Sequence, residues 1–288
     1  MTRALLAPVL ALGRRPLPSA RRLARPAATP LCWLLRRRAR IVRTNLALCF
    51  PDWTARQLKE VERAHFRMLA EMLAEVSHCW QWPGRLGAET GEVLGLEHLE
   101  AARSGGSGVL LATAHCTCLE LGARLFGEAV AACGMYRPLR NPVLETLQNR
   151  GRQRYADGMF RRDDLRGIVR HLRAGGVLWY APDQDLGPRR SAFAPLFGRP
   201  AATARAVVEL ARLGRARVVP MYPFKDPVGG RVQVILSPAL EDFPSGDLVA
   251  DLTRYNALVE EWIRHRPAQY WWLHRRFKTT PEGWTSPY

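Results

Sequence analysis

His115 and Glu120, separated by Cys116-Thr-Cys-Leu119, follow directly on the apolar run Gly108-Val-Leu-Leu-Ala-Thr-Ala114. A base and a carboxylate thereby stand where a strand should hand over to a helix. On one continuous helix, residues five apart point about 140° away from each other and would not meet. With His115 in the loop that ends the strand and Glu120 one turn into the helix, one ring nitrogen can reach the carboxylate while the other faces a cleft. Such a carboxylate fixes the tautomer and stabilises the imidazolium formed when histidine takes a proton from an attacking hydroxyl. The pair is then the base and orienter of a triad whose nucleophile is the substrate's own hydroxyl, so it suits acyl transfer. His115 and Glu120 are the expected catalytic residues. Cys116 and Cys118 open two other readings. A zinc site is disfavoured because C-x-C with one neighbouring His lacks the separated ligand pairs of structural sites. A cysteine nucleophile is disfavoured because a side chain rarely points at its sequence neighbour's ring.

The elements that must position these residues can be read along the chain. Thr54-Ala-Arg-Gln57 has the form of a capping box, and Leu58, Val61, His65, Leu69, Met72 and Val76 follow at helical spacing, predicting a long amphipathic helix. Gly105-Gly-Ser-Gly108 is a turn into the first strong strand and not a phosphate loop, because it precedes a strand instead of opening a helix. A helix to about Ala132 and a short strand around Met135-Tyr136 come after His115. Asn141-Pro142 opens another helix, and Asp163-Asp164 a third that ends at Gly175-Gly176. Val177-Leu-Trp-Tyr-Ala181, Val218-Val-Pro-Met-Tyr222 and Val232-Gln-Val-Ile-Leu236 are buried strands, and residues 247 to 265 form a last amphipathic helix. Strands alternating with helices predict an α/β fold, a mixed sheet covered by helices.

Loops leaving such strands converge on one cleft. Besides His115 and Glu120, the residues expected there are Arg137, Arg150 and Arg152, whose planar guanidinium groups match phosphate oxygens, with Asn141, and Asp183, Gln184, Asp185 and Gly187. Each has a plainer reading. Arg150 and Arg152 fit a solvated helix face equally well, Asp183 fits a turn after Pro182, and Asp185 fits a pair with Arg189 or Arg190. His274, Arg275 and Arg276 either hold the C-terminal segment or contact a lipid phosphate.

Several ordered motifs accompany the His-Glu pair: Arg43-Thr-Asn-Leu46, Cys49-Phe-Pro51, Tyr136-Arg-Pro-Leu-Arg-Asn141, Arg150-Gly-Arg152, Trp179-Tyr-Ala-Pro-Asp-Gln-Asp-Leu-Gly-Pro188, Phe193-Ala-Pro-Leu-Phe-Gly198 and Gln269-Tyr-Trp-Trp-Leu-His-Arg-Arg-Phe-Lys-Thr279. From about residue 40 to 288 the chain resembles the HtrB/LpxL-like late acyltransferases of lipid A biosynthesis, within the lysophospholipid acyltransferase superfamily. The resemblance implies a glycerolipid-acyltransferase-like fold and a place for the 183–187 loop at the acceptor. It implies transfer of a fatty acyl chain from an acyl carrier protein thioester to a hydroxyl of a phosphorylated glucosamine lipid, making an acyloxyacyl unit. Such single-displacement chemistry requires no metal or redox cofactor. The alternative is an acyltransferase with another lipid acceptor, such as an ornithine-type lipid or a glycolipid.

The formal charge of +17 is uneven: the first 51 residues carry eleven Arg and no acidic residue. Residues 1–50 are accordingly expected to form a basic, membrane-associating helical arm, and residues 51–288 the catalytic domain. Only Lys59, Lys225 and Lys278 are lysine, which reflects Arg-rich usage but does not explain the missing Asp and Glu. Cations beside short apolar stretches such as Ala4-Leu-Leu-Ala7 and Leu31-Cys-Trp-Leu-Leu35 suit an anionic lipid surface, at about 1 kcal/mol per cation. No apolar run reaches the roughly 18 to 20 residues that span a bilayer. The expected location is the cytoplasmic face of a bacterial inner membrane, held peripherally or by a short N-terminal anchor. Six cysteines without a disulfide framework agree with a reducing compartment. A nucleic-acid-binding role would explain the basicity but requires a binding module or interleaved exposed aromatics, and neither pattern is present. Acidic acyl carrier protein would be steered to such a surface.

Overall fold

The computed structural model describes residues 2–288, with side chains from residue 7 onward; Arg3 and most of the Ala4–Ala7 stretch lie outside the described side chains. In chain order the elements are α1 (Thr2–Leu12), α2 (Leu17–Ala24), α3 (Ala28–Leu34), α4 (Arg36–Cys49), α5 (Ala55–Gln81), β1 (Gly91–Leu94), α6 (Leu96–Arg103), β2 (Val109–Ala112), α7 (Leu119–Ala129), β3 (Cys133–Tyr136), α8 (Pro142–Arg152), β4 (Gly158–Arg161), α9 (Leu165–Arg173), β5 (Val177–Tyr180), β6 (Ser191–Leu196), β7 (Arg199–Ala204), α10 (Ala206–Gly214), β8 (Arg217–Lys225), β9 (Val232–Leu236) and α11 (Leu248–His265).

Among the described residues the main sheet has seven strands in the order β1-β9-β8-β2-β5-β3-β4, and β6 and β7 form a separate hairpin. All neighbours pair parallel except β8 and β9. The sheet is therefore mixed and covered by helices, as the alternation predicts. Right-handed crossovers explain the layering: α7 and α8 cover one face, and α9 and α10, which return the chain toward β5 and β8, cover the other. Central β2 is buried at every position, which its uniformly apolar Val-Leu-Leu-Ala sequence requires of a strand covered on both faces.

Local signals account for most element boundaries. Thr54 and Gln57 close the predicted capping box at the start of α5. Asn141 and Asp164 cap α8 and α9 through their side-chain oxygens. The basic arm is helical and packs against α5; Leu17, Val42 and Leu46 belong to the main hydrophobic core. Ion pairs fix it there. Arg21 binds Glu75 at 2.7 Å and Arg25 binds Glu71 at 2.6 Å. From beneath, Lys225 reaches Glu71 at 3.0 Å and Glu75 at 2.8 Å. Among the described residues no helix is long and apolar enough to cross a membrane.

Candidate functional site

The geometry at His115 follows from strand register. β2 and β5 are parallel neighbours with Ala112 opposite Tyr180, so His115 and Asp183 each lie three residues beyond a paired position. The two loops leave the sheet side by side. His115 Nδ1 stands 2.6 Å from Asp183 Oδ1, and the His115 backbone N–H donates to Asp183 Oδ2 at 3.1 Å. With Nδ1 donating to the carboxylate, Nε2 has no partner among the described residues, and the ring borders the cleft with 30% of its side chain exposed. Asp183 is 2% exposed. Burial by itself would lower the imidazole's pKa; the charge and hydrogen bond of Asp183 outweigh it and raise the value above the ordinary 6.5. Burial likewise pushes Asp183 up, but His115, with Arg276 further off, brings its pKa below the usual carboxylate value.

The contact that the H-x4-E spacing predicts, between His115 and Glu120, does not form. Glu120 is the second residue of α7 and turns toward α5 and α8. Its Oε1 accepts from Trp80 Nε1 at 2.7 Å, Tyr155 Oη at 2.6 Å and Arg152 Nε at 2.9 Å, and its Oε2 accepts from Arg152 Nη2 at 2.6 Å. A carboxylate holding four donors is committed elsewhere. Burial raises its pKa, but Arg152, Tyr155 and Trp80 together bring it below the usual carboxylate value, so it stays ionised. Asp183, expected at the acceptor, lies behind the imidazole and is engaged with it, while Glu120 forms part of the cleft wall.

The cleft encloses roughly 1040 Å³. Arg137, Arg152, Gln184 and Asp185 of the expected binding residues line it. Arg152 spends Nε and Nη2 on Glu120, which leaves Nη1 as the donor open to a ligand. Arg137 is exposed at the rim. Asp185 is buried and holds the loop, accepting from Gly187 N at 2.9 Å, Thr279 N at 2.7 Å and Thr279 Oγ1 at 2.8 Å. Gly187 adopts φ +84°, where a side chain would be strained. Asn141 is the α8 cap and Arg150 is exposed on α8; neither lines the cleft. His274 accepts from Asp185 N at 2.8 Å, and burial lowers its pKa to about 4, so it is neutral. Arg276 is buried on Ala202 O and Thr203 Oγ1 and holds the C-terminal segment. Cys116 is 3% exposed and burial drives its thiol pKa far up, the opposite of an activated nucleophile.

The sequence gives Trp80, Tyr155, Arg189, Arg190 and Lys278 no place at the site. The first two are spacers in the α5 and post-α8 patterns and become site residues only when α5, α7 and α8 meet. The last three, with Arg137, make the rim cationic. As a whole the site offers a histidine base at the floor of a cleft that has apolar walls and a positive edge. A hydroxyl beside Nε2 can be deprotonated as it attacks a carbonyl.

A family model described as bacterial lipid A biosynthesis acyltransferase matches residues 3–279. The chain is 42% identical over 255 residues to the lipid A biosynthesis lauroyltransferase of Escherichia coli strain K12, covering 88% of this chain and 83% of that protein. It is 36% identical over the same length, with the same coverage, to the palmitoleoyltransferase of that organism. With the myristoyltransferase it shares 30% identity over 258 residues, 88% of this chain and 78% of the other.

Proposed function

Because this chain belongs to the bacterial lipid A biosynthesis acyltransferase family, we propose that its His115–Asp183 pair is the general base of an O-acyl transfer to a lipid A precursor. The acceptor hydroxyl lies at His115 Nε2 and its proton passes to that nitrogen as the oxygen attacks the thioester carbonyl. Asp183, 2.6 Å from Nδ1, holds the tautomer and balances the charge on the imidazolium. The tetrahedral intermediate collapses by breaking the carbon–sulfur bond, and the departing sulfur takes the proton back. The first turn of α7, which no side chain caps, lies beside His115 and supplies backbone N–H groups and the positive end of a helix dipole for the oxyanion.

The donor is the thioester of acyl carrier protein, an acidic protein suited to a molecule of charge +17. The acceptor is a phosphorylated glucosamine lipid; Arg137, Arg189, Arg190 and Lys278 at the cleft edge are the cations that would meet its phosphate. The lipid acceptor partitions into a membrane, and the arm has the surface to follow it there. Trp33 and Leu34 are 74% and 71% exposed, and Arg36, Arg37 and Arg40 border the groove beside Trp33. That surface faces an anionic leaflet, which supports a peripheral place on the cytoplasmic side of the inner membrane. Through Asn45, whose side chain donates to Trp272 O and His274 O at 2.8 Å, α4 is tied to the segment that runs beside His115.

The observation that carries this reading is the His115–Asp183 pair opening onto a cleft with apolar walls and a cationic edge. Incubating the purified protein with acyl carrier protein thioester and the phosphorylated glucosamine lipid tests it. Mass spectrometry should find the lipid heavier by one acyl group. Thioester loss without acylated lipid would instead identify a hydrolase, and acylation of an ornithine-type lipid alone a different acceptor.

A further inference from the structure

The cleft continues along one face of the sheet. Trp179 of β5 is the cross-strand partner of Gly134 in β3, and Gly134 the partner of Met159 in β4, so the three lie in a row. All three line the cleft. Phe126 of α7 meets the Trp179 ring edge-on at 5.8 Å, which puts the row beneath that helix. Tyr180, the next residue along β5, lies on the opposite face, where the cleft is bordered by Arg189, Arg190 and Arg205. One arm of the cleft thus has an apolar sheet floor roofed by a helix, with the Glu120–Arg152 pair on its helical side near His115, and the other is edged with cations.

Gly134 is the low point of the apolar row. A Cβ there would stand 2.9 Å from Met159 Sδ and 3.0 Å from Met159 Cε. The Met159 thioether therefore folds over the glycine and fills the space that a side chain would take. Methionine is unbranched and turns about three bonds, so it closes a groove adaptably.

We propose that Gly134 and Met159 set the length of the fatty acyl chain accepted from the donor thioester. The chain runs from His115 across Trp179 and ends against Met159; this inference rests on the acyl-transfer reading above. β4 stands three strand spacings from β2, about 14 Å. An extended chain advances about 1.25 Å per carbon from its bond length and angle, so the row takes roughly a dozen carbons. The donor is assigned to this arm because it is apolar throughout the row, whereas the cationic arm suits a lipid bearing phosphate. A chain two carbons longer than the row finds no room for its end, which forfeits roughly tenfold in relative kcat/KM.

The test is competition among acyl carrier protein thioesters graded in two-carbon steps, with one fixed acceptor and products read by mass spectrometry. Met159→Ala should move the preferred chain at least two carbons longer, with relative kcat/KM for that chain rising roughly tenfold. Gly134→Val, whose branched side chain drives Met159 into the groove, should move it shorter. If Gly134→Val fails to fold, Met159→Ala decides alone. Folded, active variants that keep the wild-type preference overturn the proposal, as does a change confined to the acceptor's chains. A wild-type protein that transfers none of the thioesters would overturn the acyl-transfer reading itself, and this inference with it.

Discussion

At the scale of residues, basicity at His115 is a balance between partial burial, which lowers the pKa, and Asp183, which raises it and prevails. As the proposed base, His115 works only when neutral. Transfer should therefore fall as pH drops, with an acidic limb above the ordinary histidine value of 6.5, and a pH–rate profile under saturating substrates measures it. Glu120→Gln should reduce turnover by loosening Arg152, Tyr155 and Trp80 yet leave that limb in place, because Glu120 does not touch the imidazole. A limb shifted downward in Glu120→Gln would restore Glu120 as the orienter. The sequence made His115 legible because a histidine after a four-residue apolar strand stands out, and it made Glu120 look like the partner because five positions separate them. The true partner is 68 residues away. It could be found only by assuming that Val109–Ala112 and Val177–Tyr180 lie side by side, since His115 and Asp183 then fall at the same height.

At the scale of elements, the arm is anchored by charge as much as by apolar contact. Lys225 on β8 is 1% exposed and bridges Glu71 and Glu75 of α5, which in turn hold Arg25 and Arg21. Removing one member of a buried network leaves uncompensated charge and costs roughly 3–5 kcal/mol. Lys225→Met should accordingly lower the thermal midpoint by several degrees in a melting curve and make the chain before α5 more sensitive to limited proteolysis. An unchanged midpoint would mean that the carboxylates are satisfied by the arginines alone. Thr54→Ala, which removes the α5 cap, should cost about 1 kcal/mol by denaturant unfolding. Elements with strong local signals were legible: α5 through its capping box, α8 and α9 through Asn141 and Asp164, β2, β5 and β8 through apolar runs, and β9 through an apolar stretch broken only by the exposed Gln233. Edge strands β1 and β4, Gly-Glu-Val-Leu and Gly-Met-Phe-Arg, carry no such run, and the β6–β7 hairpin pairs Pro195 with Pro200 amid alanines. Weak intrinsic preference is overridden there by tertiary pairing.

At the scale of the whole molecule, the surplus of arginine reads as one apparatus for anionic partners: a cationic cleft edge and an arm presenting Trp33 and Leu34 among Arg36, Arg37 and Arg40. Replacing those three arginines by glutamine should weaken binding to vesicles containing anionic phospholipid by roughly 100-fold at low salt, at about 1 kcal/mol each. The difference should shrink as salt screens the surface. Equal sedimentation of variant and wild type with such vesicles would place the membrane contact elsewhere. The charge was legible in composition, but its division between cleft and arm required the fold. The proposed mechanism turns on the proton that His115 accepts with Asp183 behind it. The most direct measurement is the rate of acyl transfer by Asp183→Asn beside its melting temperature: the account predicts a folded protein slowed by about three to four orders of magnitude, and a folded variant transferring at the wild-type rate would contradict it.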